Sequence, residues 1–268
     1  MSTNKRLIVT AAIILLPSLV AALVFWRLNA VAKPEATAAG RLKALPKIIL
    51  WAWERPEDLT FVDPKEIGIA ILTGTVQLKG NDCVIRPRLQ PARTPKDAFI
   101  IAVTRIESSR QEKPMFSDAQ RQQILDRILE TSRNSRVAAV QIDFDAKESE
   151  RPFYRQLLID LRQQLPEAMP LSITALASWC LYDNWIADLP IDEAVPMLFR
   201  MGLDTDRVRR DIEQGGDFRI DVARYSLGIS TDEPLSRLPS ARRVYIFCQR
   251  AWTMETAQNI IQEVKQWQ

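Results

Sequence analysis

Two aspartates close the strand-like part of "VAAVQIDFDAKESE", Val137 to Glu150. A carboxylate pair at this spacing can work as acid and base, hold a cation or anchor a fold. On an extended strand Asp143 and Asp145 share one face and lie about 6.6 Å apart along the chain, at a rise of about 3.3 Å per residue. Like charges that close in a half-buried site push the two pKa values apart, so that one carboxyl keeps its proton more readily. Glu54 and Glu107 follow other apolar runs, and either could supply a partner for proton transfer.

Composition removes many alternatives. The chain has no histidine, which excludes Ser-His-Asp and Cys-His nucleophiles, a histidine base and every histidine metal site. Cys83, Cys180 and Cys248 are far apart, form no CxxC and sit in apolar surroundings. They read as core cysteines rather than zinc ligands, with one disulfide open to them in an oxidising compartment. Lys and Arg number 36 against 33 Asp and Glu, a balance that gives no basic face for nucleic acid. No metal or organic cofactor is required, because two aspartates alone offer Mg²⁺ or Ca²⁺ too few oxygens.

The carboxylates need a scaffold, and the pattern supplies one. Hydrophobic residues make up 47%, enough for a sizeable core. Strands are expected in "KIILWAWERP", "EIGIAILTGTVQL", "AFIIAVTRIES", "VAAVQIDFD", "PLSITALASWC", "EAVPMLFRMG", "RYSLGIS" and "RRVYIFCQRAW". Gly80-Asn81-Asp82 is turn chemistry that makes "CVIRPRL" the return strand of a hairpin. Helices are expected in "SDAQRQQILDRILETSR", with Ser117 as N-cap, in "RPFYRQLLIDLRQQLP", in "DTDRVRRDIEQGG" and in "TMETAQNIIQEVKQW", with a short one over "YDNWIADL". This alternation is that of a (β/α)8 TIM-like barrel, irregular in its first half where helices are weak or missing. An open doubly wound sheet competes, but no G-x-G-x-x-G or P-loop supports its nucleotide-binding form.

Upstream, Leu7 to Trp26 is a charge-free apolar run of bilayer-spanning length, preceded by Lys5 and Arg6. It predicts an N-terminal transmembrane helix in a bacterial inner membrane, with the barrel in the periplasm or otherwise outside the cytoplasm. A cleaved signal peptide is the alternative. The expected organisation is a cytoplasmic tip and anchor over 1–27, a linker over 28–46 and the barrel over 47–268.

Within the fourth strand, Ala138, Val140, Ile142 and Phe144 share the face that a barrel turns towards its helices. Ala139, Gln141, Asp143 and Asp145 share the inner face, which becomes acidic at the C-terminal end, where such barrels carry their sites. "QIDFDA", the helix after it and "LSITALASW" resemble an uncharacterised bacterial family of barrel proteins, itself distantly similar to chitinase-type glycoside hydrolases. The resemblance runs from about Ile48 to the C-terminus. Chitinase-type enzymes carry Asp-x-x-Asp-x-Asp-x-Glu on the fourth strand. Their final Glu is the general acid, and the Asp before it orients the substrate's acetamido group. Asp143 and Asp145 match the last two aspartates, Val140 stands where an earlier Asp belongs, and Lys147 stands where the acid belongs. Glu148 is one residue out of register.

The resemblance implies a carbohydrate or polysaccharide ligand and leaves three readings open. The aspartates act in glycan chemistry, with Glu54 or Glu107 as partner; the barrel binds a glycan or protein without chemistry; or the aspartates only hold loops. Trp53, Trp179 and Trp252 at strand ends suit sugar stacking, and Gln141 and Gln249 suit hydrogen bonding. Arg105 and Arg200, with Arg55 and Arg250, would pair with an acidic polymer or with the chain's own carboxylates.

Overall fold

The computed structural model describes residues 37–267. The expected membrane segment lies outside the described residues, among which no helix is long and apolar enough to cross a membrane.

Eight parallel strands close on themselves: β1 (Ile48–Ala52), β3 (Ile67–Lys79), β6 (Ile100–Ser108), β7 (Val137–Asp143), β8 (Leu171–Leu176), β9 (Glu193–Met197), β10 (Ser226–Ser230) and β11 (Arg243–Phe247). Closure comes from β1, which pairs with β3 on one side and β11 on the other. Helices α2 (Asp118–Ser132), α3 (Arg151–Gln164), α4 (Ala177–Tyr182), α5 (Thr205–Glu213) and α6 (Met254–Trp267) follow later strands. The front half is irregular, as expected. A hairpin strand, β4 (Asp82–Pro87), pairs antiparallel with β3 in place of a helix, and the short strands β2 (Glu57–Asp58) and β5 (Ala92–Arg93) form a separate pair.

Period-two patterning sorts side chains into two layers. Ile49, Trp51, Ala70, Leu72, Ile101, Val103, Ala139, Val195 and Tyr245 fill the barrel interior. Leu50, Ile69, Val140, Ile142, Ile173 and Ile246 face outwards, against helix residues such as Ile124, Leu157, Leu161 and Val264. A bulge between Leu72 and Gly74 inverts the alternation in β3, so Val76 and Leu78 join the outer layer instead. Gly74 is required there, since a Cβ would meet the Arg86 carbonyl oxygen at 2.9 Å.

Sequence signals explain several helix ends. Ser117 and Gln120 form a reciprocal capping box on α2. Thr253 Oγ1 accepts from the Thr256 amide at the start of α6. Gly215, at φ 92°, stops α5. Two expectations need correction. "YDNWIADL" is turn rather than helix beyond Tyr182, and the fifth strand ends at Leu176, where Ala177 begins α4.

The described part of the segment expected as linker carries α1 (Ala38–Leu42), and Leu42 and Leu45 pack into the interior layer. Arg41 Nε bonds Asp192 Oδ1 at 2.7 Å, and Arg243 donates to the carbonyls of Leu42 and Pro46 at 2.9 Å each. This segment covers the N-terminal end of the barrel. Beneath it Arg243 Nη1 lies 2.6 Å from Glu193 Oε2, and the Tyr245 hydroxyl donates to Glu193 Oε1 at 2.5 Å. Those buried groups are mutually satisfied, as burial of charge requires.

Candidate functional site at the C-terminal mouth

The inward series of each strand continues upwards into the mouth of the barrel. From β1 come Trp51 and Trp53, from β6 Arg105, from β7 Asp143 and Asp145, from β8 Thr174 and Leu176, from β9 Met197 and Phe199, and from β11 Phe247. Together with loop residues that include Ser178, Arg200 and Asp204, they enclose an open cleft of about 350 Å³. Phe199 and Phe247 stack with centroids 5.5 Å apart and planes 8° from parallel, and Trp53 meets Phe247 edge-on at 6.1 Å. One side of the cleft is therefore an aromatic wall.

The opposite side is acidic. Asp143 pairs by register with Arg105 of β6, is 7% exposed, and accepts a 2.7 Å hydrogen bond from the Thr174 hydroxyl. Its Oδ2 lies 4.0 Å from Arg105 Nε, which also holds Glu107 Oε1 at 2.9 Å. Burial pushes the Asp143 carboxyl up; the Thr174 bond and Arg105 oppose that, and Glu107 adds to it. Asp145 lies beyond the strand end, open to solvent but flanked by the cleft walls, with no hydrogen bond or ion pair from the described residues. Desolvation, then the charge of Asp143, push its carboxyl up to about 6 against the pull of Arg105. Both carboxyls are thus raised, and the charge of Asp143 contributes to the rise at Asp145, as the spacing predicted.

Arg105 also lies 5.7 Å from the Trp53 ring and separates the aromatic cleft from a second, polar one of about 390 Å³. Gln77, Glu107, Ser108, Arg110, Lys147 and Glu150 line that side, and Arg105, Asp143 and Asp145 belong to both. After Asp143 the chain leaves strand geometry and makes a 3-10 turn over Glu148–Glu150. Lys147 projects into the polar cleft, while Glu148 lines neither one. No carboxylate stands where the chitinase-type pattern places its acid.

Of the residues singled out from the sequence, Asp143, Asp145, Trp53, Arg105 and Arg200 line the aromatic cleft, and Glu107 lines the polar one. Arg200 adopts φ 51°, sits 4.9 Å from the Phe247 centroid and bonds Asp232 at 3.0 Å. The others fall elsewhere. Glu54 is exposed and lines neither cleft. Gln141 lies too deep: it accepts from Trp51 Nε1 at 2.8 Å and donates to Ser172 Oγ at 3.1 Å, beneath the floor. Trp179 is turned outwards by α4 and packs edge-on against Trp185 at 4.9 Å. Trp252 is buried, with its indole nitrogen on the Trp51 carbonyl oxygen at 2.8 Å. Gln249 is exposed, and its carbonyl accepts from Arg55.

Sequence reasoning passed over Thr174, Asp204, Phe199 and Phe247. The first was detectable: in "LSITAL" the polar Ser172 and Thr174 alternate with apolar neighbours, as Gln141 and Asp143 do. The aromatic pair follows the inward positions Met197 and Tyr245 by two residues each, a signal that needs the strand register. Among the described residues no cluster of three or more His, Cys, Asp or Glu is arranged to hold a metal ion.

Fold and cleft define a (β/α)8-barrel protein with a carboxylate-bearing cleft at the C-terminal mouth. Residues 98–195, which include β6, α2, β7, α3 and β8, match the family described as "Domain of unknown function (DUF3142)". No curated protein matches the chain. Among solved structures, a protein of Streptomyces coelicolor provisionally assigned as chitinase A aligns with TM-score 0.49 and 10% identity, over 82% of this chain and 97% of that one. A family GH18 chitinase from Chromobacterium violaceum gives TM-score 0.49 and 10% identity over 82% and 85%. The chitinase domain of the spore coat protein CotE from Clostridium difficile gives 0.38 and 11% over 81% and 66%. The barrel itself is established by its strand pairings.

Proposed function

We propose that the protein is glycan-active, binding a polysaccharide in the aromatic cleft and hydrolysing it: Asp145 gives its proton to the leaving glycosidic oxygen as that C–O bond breaks, and a water oxygen bonds to the sugar carbon and releases its proton to solvent. The observation that carries this reading is Asp145 itself. It is an open carboxyl raised to about 6, with no hydrogen-bond or ion-pair partner among the described residues, facing a wall of Trp53, Phe199 and Phe247. Protonating a glycosidic oxygen needs an acid that keeps its proton near working pH, and aromatic faces stack on the apolar faces of sugars. Asp143, fixed by Thr174 and Arg105, lies below to steady the positive charge that develops on the sugar ring.

A second reading is favoured by Lys147, which occupies the place of the chitinase-type acid: the barrel binds a glycan without turning it over. One experiment separates them. Full-length protein and Asp145→Asn are assayed on envelope and extracellular polysaccharides for new reducing ends and for binding. The catalytic reading expects Asp145→Asn to bind while losing turnover by about a hundredfold or more. Binding without turnover by the wild type supports the second reading, and absence of both overturns each.

The cellular setting we propose is an inner-membrane anchor through Leu7–Trp26, with the barrel outside the cytoplasm. Lys5 and Arg6 support that orientation. Protease accessibility of the barrel in spheroplasts tests it.

A further inference from the structure

The polar cleft has a charge pattern that glycan binding alone does not require. Four carboxylates line it, and three are already engaged. Glu107 is held by Arg86 at 3.0 Å and Arg105 at 2.9 Å. Glu150 is buried and accepts the Lys147 amide at 2.9 Å. Asp143 is buried and bonded by Thr174. Of the three cations, Arg105 is committed to Glu107. Arg110 and Lys147 are exposed and form no ion pair with any described residue. Two exposed cations outside any ion pair with described residues therefore border a recess that shares Asp143, Asp145 and Arg105 with the aromatic cleft. A chain seated on the aromatic wall and crossing Asp145 would enter this recess.

We infer that the polar cleft is a subsite for an acidic sugar, so that the ligand class is a uronate-bearing polysaccharide. This rests on the glycan reading above. Two exposed cations outside any ion pair suit a ligand that carries one carboxylate per sugar. A guanidinium fork and an ammonium both form charge-assisted hydrogen bonds with carboxylate.

The test compares polygalacturonate, polymannuronate and hyaluronan, each beside its carboxyl-reduced neutral form, by calorimetry on the full chain. At least one acidic form should bind about tenfold more tightly than its reduced counterpart, with the preference shrinking at high salt. The double variant Arg110→Gln, Lys147→Gln should bring the two forms close to parity. Lys96→Gln, at the other end of the barrel, should leave the preference intact. Equal binding of acidic and reduced forms overturns the subsite and leaves the glycan cleft standing. A preference that survives the double variant, or that Lys96→Gln reduces equally, overturns its assignment to Arg110 and Lys147. Binding of no form in any pair overturns the glycan reading and the subsite together.

Discussion

The two ends of the barrel interior use similar residues to opposite effect. At the N-terminal end Glu193, Arg243 and Tyr245 are buried and bonded to one another, under a cover of Leu42 and Leu45. At the C-terminal end Asp143, Asp145 and Arg105 stand at an open cleft, and Asp145 has no hydrogen-bond partner among the described residues. Burial with complete pairing makes charge structural; exposure with incomplete pairing leaves a carboxylate available for a ligand. Residue type does not distinguish the two ends. Satisfaction does.

Three perturbations sharpen this contrast. The largest effect is expected at the closed end. Arg243→Ala strands the Glu193 carboxylate in the interior and should cost about 3–5 kcal/mol in denaturant unfolding. Its mirror at the open end is milder. Thr174→Val removes the hydroxyl that holds Asp143 and should cost about 1.5 kcal/mol, with the Asp143 carboxyl rising further in a titration followed by carboxyl NMR. The effect at Asp145 appears only as a dependence on pH. Its folded-state carboxyl is raised to about 6, above the ordinary value of about 4, so the folded protein holds this proton more tightly than the unfolded chain. Stability from that proton is present below about pH 4 and is lost as pH rises through about 6. Wild type should lose stability relative to Asp145→Asn across that window in paired melts. A constant difference across it would mean that Asp145 is fully solvated.

The barrel was legible because its strands are short apolar runs bounded by turn residues, and because β7 carries an alternation that only one register satisfies. That alternation assigned Asp143 to the inner face, but the strand expected through Asp145 ends at Asp143, and Asp145 reaches the cleft from the chain beyond it. The alternation could not assign depth: Gln141 shares the face of Asp143, yet lies one layer lower as a buried hydrogen-bonding spacer. Nor do strand ends reveal the path of the following chain. Trp53 continues inwards after β1, whereas Trp179 is carried into the outer layer when "ALASWC" turns helical, and Trp252 is folded back onto the Trp51 carbonyl. Glu54 and Glu107 illustrate the same limit. Glu107 lies inside β6, one residue before its end, and lines the polar cleft, while Glu54 follows β1 and stays on the surface.

The closure between β1 and β11 has a consequence for the order of assembly. Ile48 pairs with Val244, so the first strand finds one of its neighbours only after nearly the whole barrel has been made. Until then one edge of β1 is an unpaired ladder of amides and carbonyls, the kind of edge on which chains associate wrongly. Long-range parallel pairing of this kind is slow, because loop entropy is lost before the contacts form. A nascent chain must therefore keep β1 protected until β11 arrives, and loss of the final strand should yield an aggregating chain rather than a smaller barrel.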